Sequence, residues 1–313
     1  MFQTNKKCLI IGWGSIGTRH ASILGEMGHT VCVVTRQEIA SYPCFHSVQE
    51  AWEHTSYEYV VIANKTCDHY KTLLELVDLD YRGILLVEKP LFEKVYPIPE
   101  HHFQHIHVAY NLRFHPIIKD IRAMISTKAI YSIHAYVGQY LPDWRPGTNY
   151  QHSYSASRVQ GGGALRDLSH ELDYVTWLTG EWQCMTAVGG TLGDLGIESD
   201  DVFCVLMETT RCPMVVVQMN YLDRHSRREL ILNVQGMSLK ADLIANTLER
   251  NHECKQYHVE RNDTYRKQHQ AMLSGKLSHL CSFEQGMAVL ELIESAEIAS
   301  EKKLWIENSK YMS

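Results

Sequence analysis

One segment, CLIIGWGSIGTRHASILGEMGHTVCVVTR from Cys8 to Arg36, constrains the fold more than any other. Residues 8 to 11 form a short, continuous apolar run that reads as a buried strand. Ile16, Ile23, Leu24 and Met27 then recur at roughly helical spacing, Gly28 supplies a helix stop, and Val31 to Val34 read as a second strand. Glycines at 12, 14 and 17 complete a GxGxxG pattern between the first strand and the helix. In that setting the pattern marks a dinucleotide-binding βαβ unit, whereas a glycine-rich turn alone does not. Gly12 permits the tight turn, Gly14 lets a pyrophosphate approach the backbone, and Gly17 lets the helix pack closely. The helix start adds free N–H groups and the positive end of its dipole.

The second strand ends in Thr35 and Arg36. An acidic residue there would accept hydrogen bonds from the ribose hydroxyls of NAD and repel a 2′-phosphate. A hydroxyl and a guanidinium suit the phosphate instead. The expected cofactor is therefore NADP, with NAD as the alternative. Two further units continue the alternation. Tyr59 to Ala63 form a strand, followed by a loop and a helix carrying Leu73, Leu74 and Val77. Ile84 to Val87 form the next strand, ending in Glu88-Lys89-Pro90. Ligands bind beyond the carboxyl ends of such strands, so Lys89 is expected where nicotinamide and substrate meet. Pro90 restricts the lysine backbone to extended conformations.

A length of 313 residues fits two domains or one large one, and 45% hydrophobic with 21% charged residues describes an ordinary globular chain. The formal charge of -6 gives nucleic acid or an anionic membrane no electrostatic attraction, so neither is expected as a partner. Nine cysteines are scattered without a CxxC pair, many inside apolar runs, as small buried hydrophobes in a reducing compartment would be. The first apolar run is too short for a signal-peptide core or a membrane span, and the expected location is cytoplasmic.

With these residues assembled, the chain resembles the glucose-fructose oxidoreductase, inositol dehydrogenase and rhizopine-catabolism (Gfo/Idh/MocA) family. The resemblance rests on GWGSIG at 12 to 17, EKP at 88 to 90, VAYNLRFHP at 108 to 116, GGGALRDLSHELD at 161 to 173 and a final helix, FEQGMAVLELIESAEIASEKK. It implies an α/β N-terminal Rossmann domain, taken as residues 1–112. An α+β C-terminal domain with a large open, mostly antiparallel sheet would follow over 113–313. The last helix, about 283–303, would pack back near the first domain. Strand-like runs at 129 to 139, 183 to 192, 201 to 208, 213 to 221, 229 to 235 and 237 to 243 agree independently. The resemblance also implies cofactor contacts from Gly12, Trp13, Gly14, Ser15, Ile16, Gly17, Ala63, Asn64, His69, Glu88 and Lys89. Three departures stand out. The usual Thr-Pro-Asn loop is Asn64-Lys65-Thr66, little room is left for a helix between EKP and AYN, and Asp167 and His170 are three rather than four apart.

The last departure is tested by geometry. On one continuous helix Asp167, His170 and Tyr174 share a stripe, and Leu168, Leu172 and Val175 form an apolar stripe beside it. The polar stripe is then free to face a ligand, with Gly161, Gly162 and Gly163 letting the segment approach cofactor or sugar. The chemistry these types permit is hydride transfer. His170 is a candidate general base, and Lys89 can hold the same oxygen or carry the proton itself. Asp167 orients the lysine or accepts a sugar hydroxyl. The residues leave the choice of base between Lys89 and His170 open.

Substrate contacts are expected from Tyr110, Asn111 and Arg113, and from Trp144 and Arg145 in the long polar loop 140–158. HHFQHIH, 101 to 107, lacks the ligand set of a metal site, and RHSRRE, 224 to 229, reads as a charged hairpin. The expectation is an NAD(P)-dependent oxidoreductase acting on a CH–OH group of a sugar, sugar derivative or cyclitol, working as a homodimer or homotetramer. A reductase of a non-sugar carbonyl or conjugated compound, and a catalytically inert NAD(P)-binding sensor, are the alternatives.

Overall fold

The computed structural model describes residues 5–144, 147 and 149–311. The chain opens with β1 (Lys7–Ile11), α1 (Ser15–Glu26), β2 (Thr30–Val34), β3 (Cys44–Phe45) and α2 (Val48–His54). It continues through β4 (Tyr59–Ile62), α3 (Thr66–Asp78), β5 (Ile84–Val87) and β6 (His105–Val108). Next come α4 (Pro116–Ile125), β7 (Ile130–Gly138), α5 (Ala164–Asp167), α6 (His170–Thr179), β8 (Trp182–Gly190) and β9 (Val202–Thr209). β10 (Cys212–Asn220), β11 (Arg227–Val234), β12 (Met237–Asp242), β13 (Thr247–Arg250) and β14 (Glu253–Gln256) follow. The chain ends with α7 (Asp263–Ser274), β15 (Cys281–Ser282), α8 (Phe283–Lys302) and β16 (Ile306–Glu307).

Two compact units result. The first joins residues up to Phe114 with Arg261–Met287, and the second holds His115–Glu260 and Ala288–Ser313. The boundary expected between 112 and 113 lies between 114 and 115, and the chain crosses between the units twice more. The physical reason is α7: it packs on α1 and on the turn at Asn111–Phe114, burying Ala271 and Met272 in the first unit's core. The last helix is divided, with Phe283–Met287 in the first unit and the rest in the second.

The first unit is a seven-stranded sheet in the order β15-β6-β5-β4-β1-β2-β3. All neighbours run parallel except β15 against β6. β4 and β5 are buried at every position, as strands covered on both faces must be, and their aliphatic runs follow from that. No helix forms between β5 and β6, in agreement with the short, proline-broken sequence there.

The second unit is a nine-stranded sheet in the order β14-β13-β12-β11-β7-β10-β9-β8-β16, antiparallel except between β7 and β10. One face carries Ile133, Ala135, Val137, Val205, Val215, Val217, Leu230 and Leu232, all buried, and α6 packs against β7 and β10. α4 starts at Pro116 behind a His115 N-cap that accepts the Ile117 N–H, and buries Ile117, Ile118, Ile121 and Ile125. Each such side chain stabilises by about 1.5–3 kcal/mol, so Ile121→Ala would cost about 2–5 kcal/mol. The opposite face leaves Tyr131, Leu206, Met214 and Ile231 exposed. The expected hairpin at 224–229 does not exist, because β7 lies between β10 and β11. The loop 140–158 is a string of short 3₁₀ turns where it is described.

Candidate functional site

In the first unit the turn after β1 is shaped by its neighbours. Gly12 has φ +110°, and a Cβ there would lie 2.5 Å from the Asn64 backbone nitrogen. A Cβ on Gly17 would lie 2.1 Å from the Gly12 carbonyl oxygen, so helix and turn touch through bare backbone. A Cβ on Gly14 would meet nothing within 4 Å. α1 starts at the next residue with no side-chain cap and no acid in its first turn. The result is a row of free N–H groups at a positive dipole end, facing open space, which fits an anionic pyrophosphate. Gly14 and Ser15 are exposed, and Ile16 is partly buried. Trp13 packs edge-on against Tyr42 with ring centroids 5.8 Å apart.

Around this turn, Thr35 is buried and its hydroxyl accepts the Gln37 N–H, while Arg36 is exposed beside it. Ala63 is buried. Asn64 donates from Nδ2 to Thr72, and its buried Oδ1 has no partner among the described residues. That acceptor is available to a ribose hydroxyl or a carboxamide. His69 is buried, with Nδ1 3.1 Å from the Leu91 carbonyl and Nε2 3.3 Å from that of Asn64. Burial pushes its pKa down. A neutral imidazole donates to one of these carbonyls, so His69 tethers the Asn64 loop rather than facing a ligand. Past β5, Glu88 is buried and accepts the Lys89 N–H at Oε2, and Lys89 is half-buried.

In the second unit the triple glycine has a structural cause. Gly163 has φ +122°, and a Cβ on it would lie 2.1 Å from an Asp200 carboxylate oxygen. One on Gly162 would lie 2.1 Å from the Tyr154 carbonyl. At 162 and 163 the glycines make room for the protein's own backbone and for Asp200, which corrects the expectation that they clear a path for a ligand. Asp200 in turn accepts the Leu165 N–H at 2.8 Å and starts α5. Desolvation pushes its pKa up to about 6.

The continuous helix expected from Asp167 to Tyr174 is also corrected. Asp167 closes α5, Leu168 and Ser169 break the helix, and His170 opens α6. Asp167 is buried and accepts a 2.6 Å hydrogen bond at Oδ2 from the hydroxyl of Tyr221. Tyr221 is fully buried, and burial and then Asp167 raise its pKa well above the usual phenol value. Trp144 packs edge-on against Tyr221 at 5.1 Å. Asp167, Tyr221 and Trp144 therefore form one cluster, and His170 is partly buried three residues from Asp167. Tyr174 lies outside the cluster: it is fully buried and donates to Glu171. Glu171 itself pairs with Arg228 at 2.8 Å, and burial raises its pKa.

Residues 118–238 match the model of the GFO/IDH/MocA C-terminal domain. No curated protein matches the chain in sequence. Among solved structures, GenD2 from gentamicin A biosynthesis in complex with NAD is 19% identical, with 97% of each chain covered and a TM-score of 0.78. Levoglucosan dehydrogenase in complex with NADH is 15% identical, with 97% of this chain and 99% of that chain covered and a TM-score of 0.83. UDP-N-acetylglucosamine 3-dehydrogenase GnnA from Acidithiobacillus ferrooxidans is 18% identical, with 95% and 98% covered and a TM-score of 0.76. These likenesses establish the fold: an α/β Rossmann-type unit with a parallel core and an α+β unit on a large, mostly antiparallel sheet.

Within this fold, three residues expected at the substrate are already engaged. Tyr110 is buried, Asn111 donates to Thr264, and the buried Arg113 guanidinium donates to the Leu280 carbonyl and Gln285. A buried guanidinium must be bonded where it lies, and these bonds hold β6 to the returning segment of the first unit. Arg145 lies outside the described residues. Among the described residues no group of three or more His, Cys, Asp or Glu could hold a metal; His107 has Nδ1 3.1 Å from the Cys281 carbonyl. No helix of the described residues is long and apolar enough to cross a membrane. Tyr221 and Asp200 escaped the sequence reading, since nothing near either residue marks it as a neighbour of Asp167 or Gly163.

Proposed function

We propose that the chain is an NAD(P)-dependent oxidoreductase acting on a CH–OH group of a sugar or sugar derivative, amino and nucleotide sugars included. The observation that carries the reading is the Gly14 opening in front of an uncapped α1, which fits a dinucleotide pyrophosphate. The GFO/IDH/MocA domain and structural neighbours named for NAD, NADH and sugar substrates support it. Arg36, exposed next to the end of β2, supports NADP, with NAD the alternative.

Nicotinamide, when bound, supplies the hydride acceptor or donor. Lys89 holds the substrate oxygen and stabilises the negative charge that develops on it. His170 takes the hydroxyl proton, or Lys89 does so, and the pH profiles of single variants separate the two. Asp167, fixed by Tyr221, accepts a substrate hydroxyl. Trp144 extends the same cluster with an aromatic face suited to a sugar.

The exposed apolar residues on the open sheet face support a homodimer or homotetramer covering that face; sedimentation as a monomer at micromolar concentration would contradict it. Nine free cysteines support a cytoplasmic location. The direct test is turnover of either cofactor by purified protein against a panel of sugars, cyclitols and nucleotide sugars. Tight cofactor binding with no turnover on any of them would favour an inert sensor.

A further inference from the structure

Four buried side chains in the first unit form a continuous hydrogen-bonded line that the hydride chemistry does not use. The Tyr59 hydroxyl lies 2.8 Å from Nδ1 of His269. His269 Nε2 lies 2.8 Å from His20 Nδ1, and His20 Nε2 lies 2.8 Å from Glu88 Oε1. Tyr59, His20 and His269 are fully buried, and Glu88 is 7% exposed. The residues come from β4, α7, α1 and the end of β5. Tyr59 sits in register with Ile84 at the start of β5, whereas Glu88 follows Val87 at its end. The line therefore runs along the strands toward their carboxyl ends.

Its direction is fixed from the far end. Burial holds the Tyr59 hydroxyl in its protonated form, and His269 Nδ1 is its hydrogen-bond partner. A buried O–H turned away from that acceptor would be left unsatisfied, so Tyr59 donates. His269 then accepts at Nδ1, and burial with the neighbouring His20 keeps it neutral. Its one proton sits on Nε2 and is donated to His20 Nδ1. His20 has Nδ1 occupied as an acceptor, so its proton sits on Nε2 and goes to Glu88 Oε1. Glu88 accepts at both oxygens, from His20 at Oε1 and from the Lys89 N–H at Oε2, as a carboxylate does. A second proton on His20 would point Nδ1–H at the N–H of His269.

We propose that Tyr59, His269 and His20 form a one-way donor chain that keeps His20 neutral and holds Glu88 as an unneutralised carboxylate beside Lys89. The three are positioning residues for the carboxyl end of β5. The functional consequence rests on the cofactor reading above: a fixed negative charge there favours the oxidised cofactor, whose nicotinamide ring is cationic, over the neutral reduced form.

The test uses the full chain, labelled with ¹⁵N-histidine and free of cofactor, in a long-range ¹⁵N–¹H correlation. His20→Asn and His269→Asn assign the signals by their loss. Both rings are expected as neutral Nε2–H tautomers at neutral pH, and Tyr59→Phe is expected to let His20 take a second proton. An Nδ1–H tautomer at either ring, or an imidazolium at His20 in the wild type, would overturn the chain's direction. If the histidine variants do not fold, neutron diffraction from deuterated wild-type crystals locates the same protons. Calorimetry supplies the second arm: Tyr59→Phe and Glu88→Gln should each reduce the preference for oxidised over reduced cofactor by about three- to tenfold. An unchanged ratio would remove the functional consequence. Wild-type protein that binds neither cofactor would instead sink the cofactor reading, while the tautomers still decide the direction.

Discussion

Tyr221 donates its hydroxyl to Asp167 across 2.6 Å, joining the end of β10 to the end of α5 inside the second unit. A short bond from a buried phenol to a carboxylate is a strong, orienting contact. Tyr221→Phe should therefore lower turnover at least about tenfold and leave cofactor affinity unchanged, at a stability cost of about 1.5–3 kcal/mol. Steady-state kinetics and denaturant unfolding measure the two effects. Unaltered turnover would show that Asp167 needs no such anchor.

The glycines of the nucleotide turn should separate into two kinds. Gly12→Ala forces a Cβ toward the Asn64 backbone at an unfavourable φ, so it should destabilise the first unit by about 1–3 kcal/mol or more. Gly14→Ala meets no protein atom and should leave the melting temperature unchanged. It should nevertheless weaken cofactor binding by about tenfold or more, because the added methyl enters the space assigned to the pyrophosphate. Thermal melts and titration calorimetry on the pair read both outcomes.

On the proposed reading, cofactor choice turns on Arg36. Arg36→Glu replaces a donor for a 2′-phosphate with an acceptor for a ribose hydroxyl and adds repulsion. The ratio of NADP to NAD affinity should fall by about tenfold or more. A ratio that does not move would place the phosphate contact elsewhere.

Asp200 predicts a pH dependence of stability. Its carboxyl is raised from 3.8 to about 6 by desolvation, against the Leu165 N–H and Arg166. The group's contribution is full below pH 3.8 and is lost as pH rises through about 6. The loss amounts to roughly 2 kcal/mol after allowance for its partial exposure. Asp200→Asn keeps an acceptor for Leu165 without the titration. Its stability relative to wild type should therefore improve by that amount between pH 4 and pH 7, as read by denaturation at each pH.

Much of this molecule is legible in the chain. The nucleotide turn is local: strand, three glycines and helix lie within 20 residues of each other, and β7 to β12 show through because one sheet face is buried. β13, β14 and β16 are hidden for the opposite reason; β14, for instance, is exposed at all four positions and has no apolar rhythm. The glycines at 161 to 163 mislead because their constraint comes from Tyr154 and Asp200, residues distant in sequence. Asp167 and His170 are three apart in sequence, as on one helix, yet the helix breaks between them, and the Asp200 and Tyr221 contacts of the segment come from residues distant in sequence. The same holds for His269, one histidine in RKQHQAML, whose role depends on α7 returning to α1.

The central proposal is that Lys89 and His170 handle the proton and the charge of the reacting hydroxyl. Its most direct test is cofactor turnover, on the best substrate of the panel, by Lys89→Ala and His170→Ala, with cofactor dissociation constants measured on the same preparations. Each variant should lose turnover by about a hundredfold or more while keeping cofactor affinity within about threefold. Turnover surviving near the wild-type rate in either variant would contradict the assignment.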